Sequence, residues 1–389
     1  MKLSKLAEQM KPSTTLAITS KAKELKKQGK DVVSLGAGEL DFEVPEPIKQ
    51  ATIESINKPG IGKYTDAAGI PELIDAIREK FQNENNITYS PSQIIVCPGA
   101  KYSLYLVALT LLDSGDEAII PSPFWLSYES QVKLCNAAPV FVKTNKFQLD
   151  IEEIRKKITK RTKLIYINSP NNPSGAVYSK EQLVELAQLA VENKIHVISD
   201  DIYEKIYYGK KPVSVASLEN EVPGIKELTI VVNGPSKEFA IPGWRIGYAA
   251  GPEEIIKKMS AIQSHTTSNT STVMQYATLA GLKFARGFIK DKLGELDRRR
   301  KYMVTQLNKM SGINCTMPEG AFYTFPNISG TGMKSEEFSK KLLEEAYVAV
   351  IPGIAFGDDD CVRLSYATSM DNIIKSMARM NEWLTKLSY

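Results

Sequence analysis

Three stretches of this sequence end an apolar run on groups that can bind ligands or move protons. HVIS at 196–199 runs into Asp200-Asp201-Ile202-Tyr203, and KLIYIN at 163–168 into Ser169-Pro170-Asn171-Asn172-Pro173-Ser174-Gly175. TIVVN at 229–233 runs into Gly234-Pro235-Ser236-Lys237, with Arg245 eight residues on. Together they offer a carboxylate, a phenol, carboxamides in a rigid turn, an amine and a guanidinium. Each alone has a plainer reading: a helix cap, a turn, a solvated lysine, a salt-bridged arginine. Their recurrence at successive strand ends weighs against that reading, because the carboxyl ends of strands in an open α/β sheet border the ligand crevice.

Other chemical signals fail on inspection. Gly36-Ala37-Gly38-Glu39-Leu40-Asp41 opens like a dinucleotide fingerprint but has Asp41 where a third glycine is needed. Gly62-Lys63 is followed by Tyr64 rather than the Ser or Thr of a phosphate loop. Ser20 and Lys23 have SxxK spacing but belong to a polar helix face. His196, in an apolar strand, reads as a satisfied core histidine, and His265 stands alone in a Ser/Thr-rich stretch. With these two histidines and no GxSxG elbow, a serine-hydrolase triad is hard to assemble. Cys97, Cys135, Cys315 and Cys361 lie far apart with no CxxC pair, so neither a zinc site nor a disulfide framework is expected, and no metal is.

The groups at 168–245 must be held by a scaffold, and the apolar runs supply one. QIIVC at 93–97, EAIIP at 117–121, APVFV at 138–142, KLIYI, HVIS, TIVVN and RIGYAA at 245–250 read as buried strands. Helix-length segments such as KEQLVELAQLAVENK at 180–194 separate several of them, giving the alternation of a largely parallel sheet. From about Gln275 long charged helices take over, followed by strands around FYTFPN and CVRLSY and a final helix near Tyr389, as in a smaller α+β domain. The N-terminal helix, containing KAKELKKQGK, could pack on either part.

At 389 residues, two domains are the expectation. With 43% hydrophobic and 24% charged residues the chain can bury a large core. The balance of 49 Lys plus Arg against 45 Asp plus Glu, spread along the chain, offers no basic block for nucleic acid or a membrane surface. The longest apolar stretch, around Leu104 to Leu112, is too short for a bilayer, so the expected location is the cytoplasm.

SDDIYE at 199–204, NSPNNPSG at 168–175 and SKEFAIPGWRIGY at 236–248 resemble the pyridoxal-phosphate-dependent aminotransferases of fold type I. The likeness is to classes I and II, which include the aspartate and aromatic aminotransferases, and is nearest to the bacterial aspartate enzymes. VVSLGAGELDF, KYTDAAGIPELIDAI, CPGAKYSLYLVAL, GDEAIIPSPFWLSY and CVRLSYATS match in the family's order, so the likeness covers nearly the whole chain. Departures are Leu40 for a usual proline, Asp201 for a common glutamate, Ser174 for threonine, and Pro235 before the Ser-Lys pair, which could alter the loop presenting Lys237.

The resemblance implies an α/β fold type I architecture: a largely parallel central sheet in a large cofactor domain, 46–280, and a smaller α+β domain from 1–45 and 281–389. It makes Lys237 the lysine that bonds to pyridoxal 5'-phosphate and shuttles protons, with Asp200 on the ring nitrogen. Tyr203 and Asn172 would meet the ring oxygen, and Trp125 the ring face. Gly99, Ala100, Lys101, Ser236 and Arg245 would hold the phosphate, with Tyr64 reaching it in the neighbouring subunit of a homodimer with shared sites. Arg363 would grip the substrate α-carboxylate, Gly38 would close over it, and Asn172, Trp125 and Lys101 would face the substrate. Lys101 has two readings, neutralising the phosphate or holding the distal carboxylate of an acidic donor. Ser13, Thr14 and Thr15 could add further donors. The implied reaction is ping-pong transamination between an amino acid, with aspartate favoured, and 2-oxoglutarate. Its rivals are an aromatic or broad-specificity aminotransferase, a lyase on the same cofactor, and a non-catalytic protein on the same scaffold.

Overall fold

Runs of Val and Ile that cannot alternate between water and core form strands covered on both faces. The computed structural model describes residues 14–387 continuously, together with residues 3, 4, 7, 8 and 10. After a short strand β1 (Val33–Ser34), a seven-stranded sheet is built from β2 (Ile94–Cys97), β3 (Glu117–Ser122), β4 (Ala138–Lys143), β5 (Thr162–Asn168), β6 (His196–Asp200), β7 (Thr229–Asn233) and β8 (Gly247–Ala250). Its order is β2-β8-β7-β6-β5-β3-β4. The ladders joining β7, β6, β5, β3 and β4 are parallel, and β8 runs antiparallel to both of its neighbours. Every run expected to be a strand is one, although only 247–250 of RIGYAA pairs and Arg245 lies in the approach to it.

APVFV departs from the expected burial. As β4 it is the sheet edge, with most of its residues exposed or half-exposed and Phe141 41% exposed. One face of an edge strand finds no second layer, and Phe141 instead stacks flat on Phe124 at 4.8 Å between centroids.

Crossover helices make the parallel order possible. The helix Lys180–Asn193 is typical: Ser179 accepts from the Gln182 N–H, the Gln182 side chain returns the bond in a capping box, and left-handed Lys194 ends it. Leu183, Leu186, Ala187, Leu189 and Ala190 are buried on the face turned to the sheet, as their spacing requires.

The remaining strands, β9 (Tyr323–Thr324), β10 (Val348–Ala349), β11 (Ile351–Pro352) and β12 (Val362–Ser365), form a three-stranded antiparallel sheet β11-β12-β9 and a parallel pair β1-β10. Helices Phe288–Leu307, Ser335–Ala346 and Met370–Leu387 bury Leu296, Met303, Phe338, Leu342, Met380 and Trp383 in one apolar cluster with β10 and β12. The helix Thr14–Lys27 joins this part of the molecule, its Ala22 packing with Val32, Leu343 and Ala349. Among the described residues, no helix is long and apolar enough to cross a membrane.

Two helical glycines separate packing from propensity. A Cβ on Gly281, in the helix Thr272–Phe284, would lie 2.5 Å from the Phe239 ring, whereas one on Gly294, in Phe288–Leu307, would meet nothing within 4 Å. Alanine gains about 1 kcal/mol over glycine in a helix, while overpacking a filled core costs ~1–3 kcal/mol. Gly294→Ala should therefore raise the urea unfolding midpoint and Gly281→Ala lower it. Equal shifts of one sign would mean that the contact with Phe239 yields freely.

Candidate active site

The parallel ladders set three strand ends level. Asn168 pairs with Asp200, and Asp200 with Val232, at the carboxyl edge of β5, β6 and β7. Asn168 donates from Nδ2 to the Asp200 carbonyl (2.8 Å) and accepts the Asn172 N–H on Oδ1 (2.8 Å), so one carboxamide ties the asparagine turn to the next strand end. Asp200 is buried; its Oδ2 accepts from the Tyr128 hydroxyl at 2.6 Å and its Oδ1 from the Ile202 N–H at 3.3 Å. Burial pushes its carboxyl up to about 6, against the pull of those two donors and of the Lys237 charge. Tyr203 returns towards the same place: its hydroxyl lies 2.9 Å from that of Tyr323 and 3.5 Å from Asn172 Nδ2.

Opposite this carboxylate stand four cations. Lys237 sits in a four-residue helix, Pro235–Glu238, with Pro235 at the first position, where a missing N–H costs nothing. The proline thus starts the turn that presents the lysine. Lys237 Nζ donates to the Gly38 carbonyl at 2.5 Å. Burial lowers its pKa to about 8; Glu39 opposes this, and the charges of Arg363 and Arg245 add to it.

Gly99 (φ +93) precedes the helix Ala100–Leu111, whose first N–H groups have no partner within the helix. Arg245, itself left-handed at φ +52, presses its guanidinium so closely on this turn that a Cβ at Gly99 would lie 2.5 Å from Nη2. Gly247 seals the other side, where a Cβ would come within 2.2 Å of the Ala100 nitrogen. Lys101 lies 4.8 Å above the Trp125 ring, and burial followed by the Arg245 charge lowers its pKa.

Arg363, on β12, is 2% exposed. It donates to Asn172 Oδ1 (3.0 Å) and the Gly36 carbonyl (2.8 Å), between the rings of Tyr323 and Phe356, while its buried Nε has no partner. Among the described residues neither Arg363 nor Arg245 forms a salt bridge, and Asp200 is the single carboxylate lining the cleft.

Gly38, Ala100, Lys101, Trp125, Asn172, Asp200, Tyr203, Ser236, Lys237, Arg245 and Arg363 all line this one cleft, of about 250 Å³. Gly99 adjoins it through Arg245. Tyr64 does not line it: in the single chain this phenol is 89% exposed. Ser13 and the side chains of Thr14 and Thr15 lie outside the described residues. His196 is a core histidine as expected, its Nδ1 lying 3.3 Å from the Leu228 carbonyl. Sequence reasoning missed Tyr128, Tyr323 and Asn168. Tyr128 lies three residues after Trp125, in the first turn of the helix Ser127–Leu134, close enough in sequence to have been found beside it; Tyr323 carries no local signal.

The sequence pattern of the family described as "Aminotransferase class I and II" matches residues 30–379. The chain belongs to this family. It is 46% identical to the aspartate aminotransferase of Bacillus subtilis over the whole of both chains. The solved aspartate aminotransferase of Thermus thermophilus with maleate superposes with a TM-score of 0.94 at 41% identity, covering 98% of this chain and 99% of that one. The aromatic aminotransferase of Pyrococcus horikoshii gives 0.88 at 40% identity, covering 94% and 99%. This aminotransferase therefore has the α/β fold type I architecture expected, with its mostly parallel sheet.

The donors suit the cofactor that the resemblance implies. A glycine turn too tight for any side chain, an unpaired guanidinium and the Ser236 hydroxyl match a phosphate, the buried carboxylate a ring nitrogen, and the amine with depressed pKa an aldehyde carbon.

The Tyr128–Asp200 bond can be tested without cofactor. Because the folded pKa of Asp200, about 6, lies above the ordinary aspartate value of 3.8, the stability it contributes is fully present below about 3.8 and lost as pH rises through about 6. Tyr128→Phe removes a donor to the charged form, so the loss should extend to higher pH and deepen by about 1 kcal/mol at neutral pH. Asp200→Asn should flatten that part of the profile. Superimposable urea-unfolding profiles for wild type and Tyr128→Phe between pH 4 and 8 would refute the bond's role.

Proposed function

We propose that the cleft holds pyridoxal 5'-phosphate and transfers the amino group of aspartate to 2-oxoglutarate. The observation that carries this is Arg363: a buried guanidinium, without an acid partner and with Nε free, facing the cleft of Lys237 and Asp200. A buried charge left unpaired is costly, so the site is poised for a carboxylate. The aspartate assignment draws support from the names of the relatives and from the second cation, Lys101, on the same cleft.

When bound, the cofactor supplies an electron-withdrawing ring that spreads the electron pair left on the substrate carbon. The chain supplies the rest. Arg363 grips the α-carboxylate and fixes the Cα–H bond towards Lys237. With a pKa of about 8, a useful fraction of Lys237 is the free amine at neutral pH; it would hold the cofactor through its aldehyde carbon, with loss of water, and its Nζ would carry the Cα proton. Asp200, with a pKa of about 6, is mostly ionised there and, steadied by Tyr128, would hold the ring nitrogen in its protonated form. Tyr203 and Asn172 would hydrogen-bond the ring oxygen, Trp125 would meet the ring, and Gly99, Ala100, Ser236 and Arg245 would hold the phosphate. Gly38 bounds the substrate side.

The same reading divides the chain into a cofactor-holding unit, 46–280, and a smaller unit of 1–45 and 281–389, which supplies most of the apolar cluster around Phe338 and Trp383, with Tyr203 and Ile206 joining it from the larger unit. It also makes the enzyme a homodimer in which Tyr64, exposed in one chain, completes the phosphate seat of the other.

Lys237→Ala should fold, yet lose nearly all turnover of aspartate with 2-oxoglutarate in a coupled assay; near-normal turnover would overturn the mechanism. Mixing it with Tyr64→Phe should restore partial activity through shared sites, and no restoration would argue against the dimer. Lys101→Ala should lower kcat/KM for aspartate at least about tenfold more than for phenylalanine, because only the acidic donor loses a charge-assisted contact. Equal losses would assign Lys101 to the phosphate. A wild-type preference for aromatic donors would favour the aromatic reading.

A further inference from the structure

Behind the cleft lies a second charged cluster that the mechanism above does not use. The helix Pro71–Lys80 ends in a single π-helical turn, Phe81–Asn85, closed by left-handed Asn86. That widened turn brings Lys80, Glu84 and Asn85 to one side. Lys80 is completely buried and its ammonium meets the Glu204 carboxylate and Asn85 Oδ1 (2.8 Å). Glu204 also accepts from Asn85 Nδ2 (2.6 Å) on one oxygen and from Asn233 Nδ2 (2.9 Å) on the other. Lys205 pairs with Glu84 at 2.6 Å, and Asp201, Glu238, Tyr89 and Tyr248 complete the surroundings. Burial alone would raise the Glu204 carboxyl, but Lys80 and Lys205 outweigh it and hold it below its usual range.

The partners of Glu204 belong to the strand ends that carry the chemistry. Glu204 follows Tyr203 directly; Asn233 ends β7, four residues before Lys237, and its Oδ1 accepts the Gly234 N–H at 2.7 Å. Between β6 and β7, backbone bonding runs out with the Asp201 N–H donating to the Val232 carbonyl at 2.9 Å. Beyond it the two chains part, one into the turn at 201–206 and the other into the helix at 235–238, and Glu204 bonded to Asn233 spans the gap. Replacing a buried ion pair with neutral groups is often harmless to stability, so gain in stability is a weak explanation for charges here.

We propose that Glu204 is a positioning residue: anchored by Lys80 and Asn85, its bond to Asn233 fixes the spacing between the turn carrying Asp200 and Tyr203 and the helix carrying Lys237. The proposal rests on the roles given above to Lys237 and Asp200. A displacement of about an ångström between reacting groups costs of the order of a hundredfold in rate, whereas the carboxylate grip of Arg363 comes from another sheet and should be spared.

The test uses the enzyme loaded with pyridoxal 5'-phosphate. Asn233→Ala cuts the link without stranding a buried charge, and the double variant Lys80→Met/Glu204→Gln removes both charges of the anchor together. For each, kcat and KM for aspartate are measured, and the absorbance of the bound cofactor is titrated with pH in the absence of substrate. Both variants should lose at least about tenfold in kcat with KM changed by no more than about twofold. Both should move the absorbance midpoint by roughly half a pH unit or more, because Lys237 and Asp200 no longer keep their distance. Wild-type kcat and midpoint in Asn233→Ala would overturn the proposal whatever happens to its melting temperature. If instead wild type fails to transaminate, or Lys237→Ala still turns over, the fault lies with the assignment of the site.

Discussion

Backbone hydrogen bonds between parallel strands hold the chemistry of this protein in place. The ladder that pairs Asn168 with Asp200 and Asp200 with Val232 leaves three side-chain-bearing ends at one height. A one-residue slip in β6 would turn Asp200 to the opposite face of the sheet and leave Asp201 in its place. The β-branched residues that cover both faces of the sheet resist such a slip, so the apolar core and the polar edge are two results of a single register. The strand that breaks the parallel order, β8, brings Gly247 against the start of the helix Ala100–Leu111 and so links the sheet to the turn at Gly99.

Charge is distributed unevenly about that edge. Four cations, Lys101, Lys237, Arg245 and Arg363, face a single lining carboxylate, and burial, with the charges of Arg363 and Arg245 adding to it, lowers Lys237 to about 8. The excess of positive charge has no acid of its own to balance it, and the buried Nε of Arg363 has no partner within the chain. Behind the edge the balance reverses: Asp201, Glu204, Glu238 and Glu84 surround Lys80 and Lys205. Asp201 is held up to about 8 and Glu238 to about 7, so this rear layer keeps part of its acid uncharged at neutral pH.

Much of this could be read in the sequence because the groups concerned end local patterns. Asp200, Asn172 and Lys237 each follow an apolar run, and a strand's end is visible without any tertiary information. Tyr128, Tyr323 and Glu204 were illegible for the opposite reason. Their partners lie far along the chain, in the bonds from Tyr128 to Asp200, Tyr203 to Tyr323 and Lys80 to Glu204, and only the packed sheet brings them together. The one burial error has the same origin. APVFV has the composition of a central strand, and its edge position depends on the order in which strands assemble, which composition does not encode.

The turn at Gly99 is hemmed in by a guanidinium on one side and by backbone on the other. Arg245 and a φ of +93 stand against a side chain at Gly99, and at Gly247 a Cβ would come within 2.2 Å of the Ala100 nitrogen. Lys101, Trp125, Asn172 and Arg363, by contrast, line the cleft with side chains rather than with backbone. A lineage descending from such a chain is free to vary the side chains that line the cleft far more than the two glycines beneath them. Under the function proposed above, new substrate preferences would be open to it at low mutational risk, and a new seat for the phosphate would not.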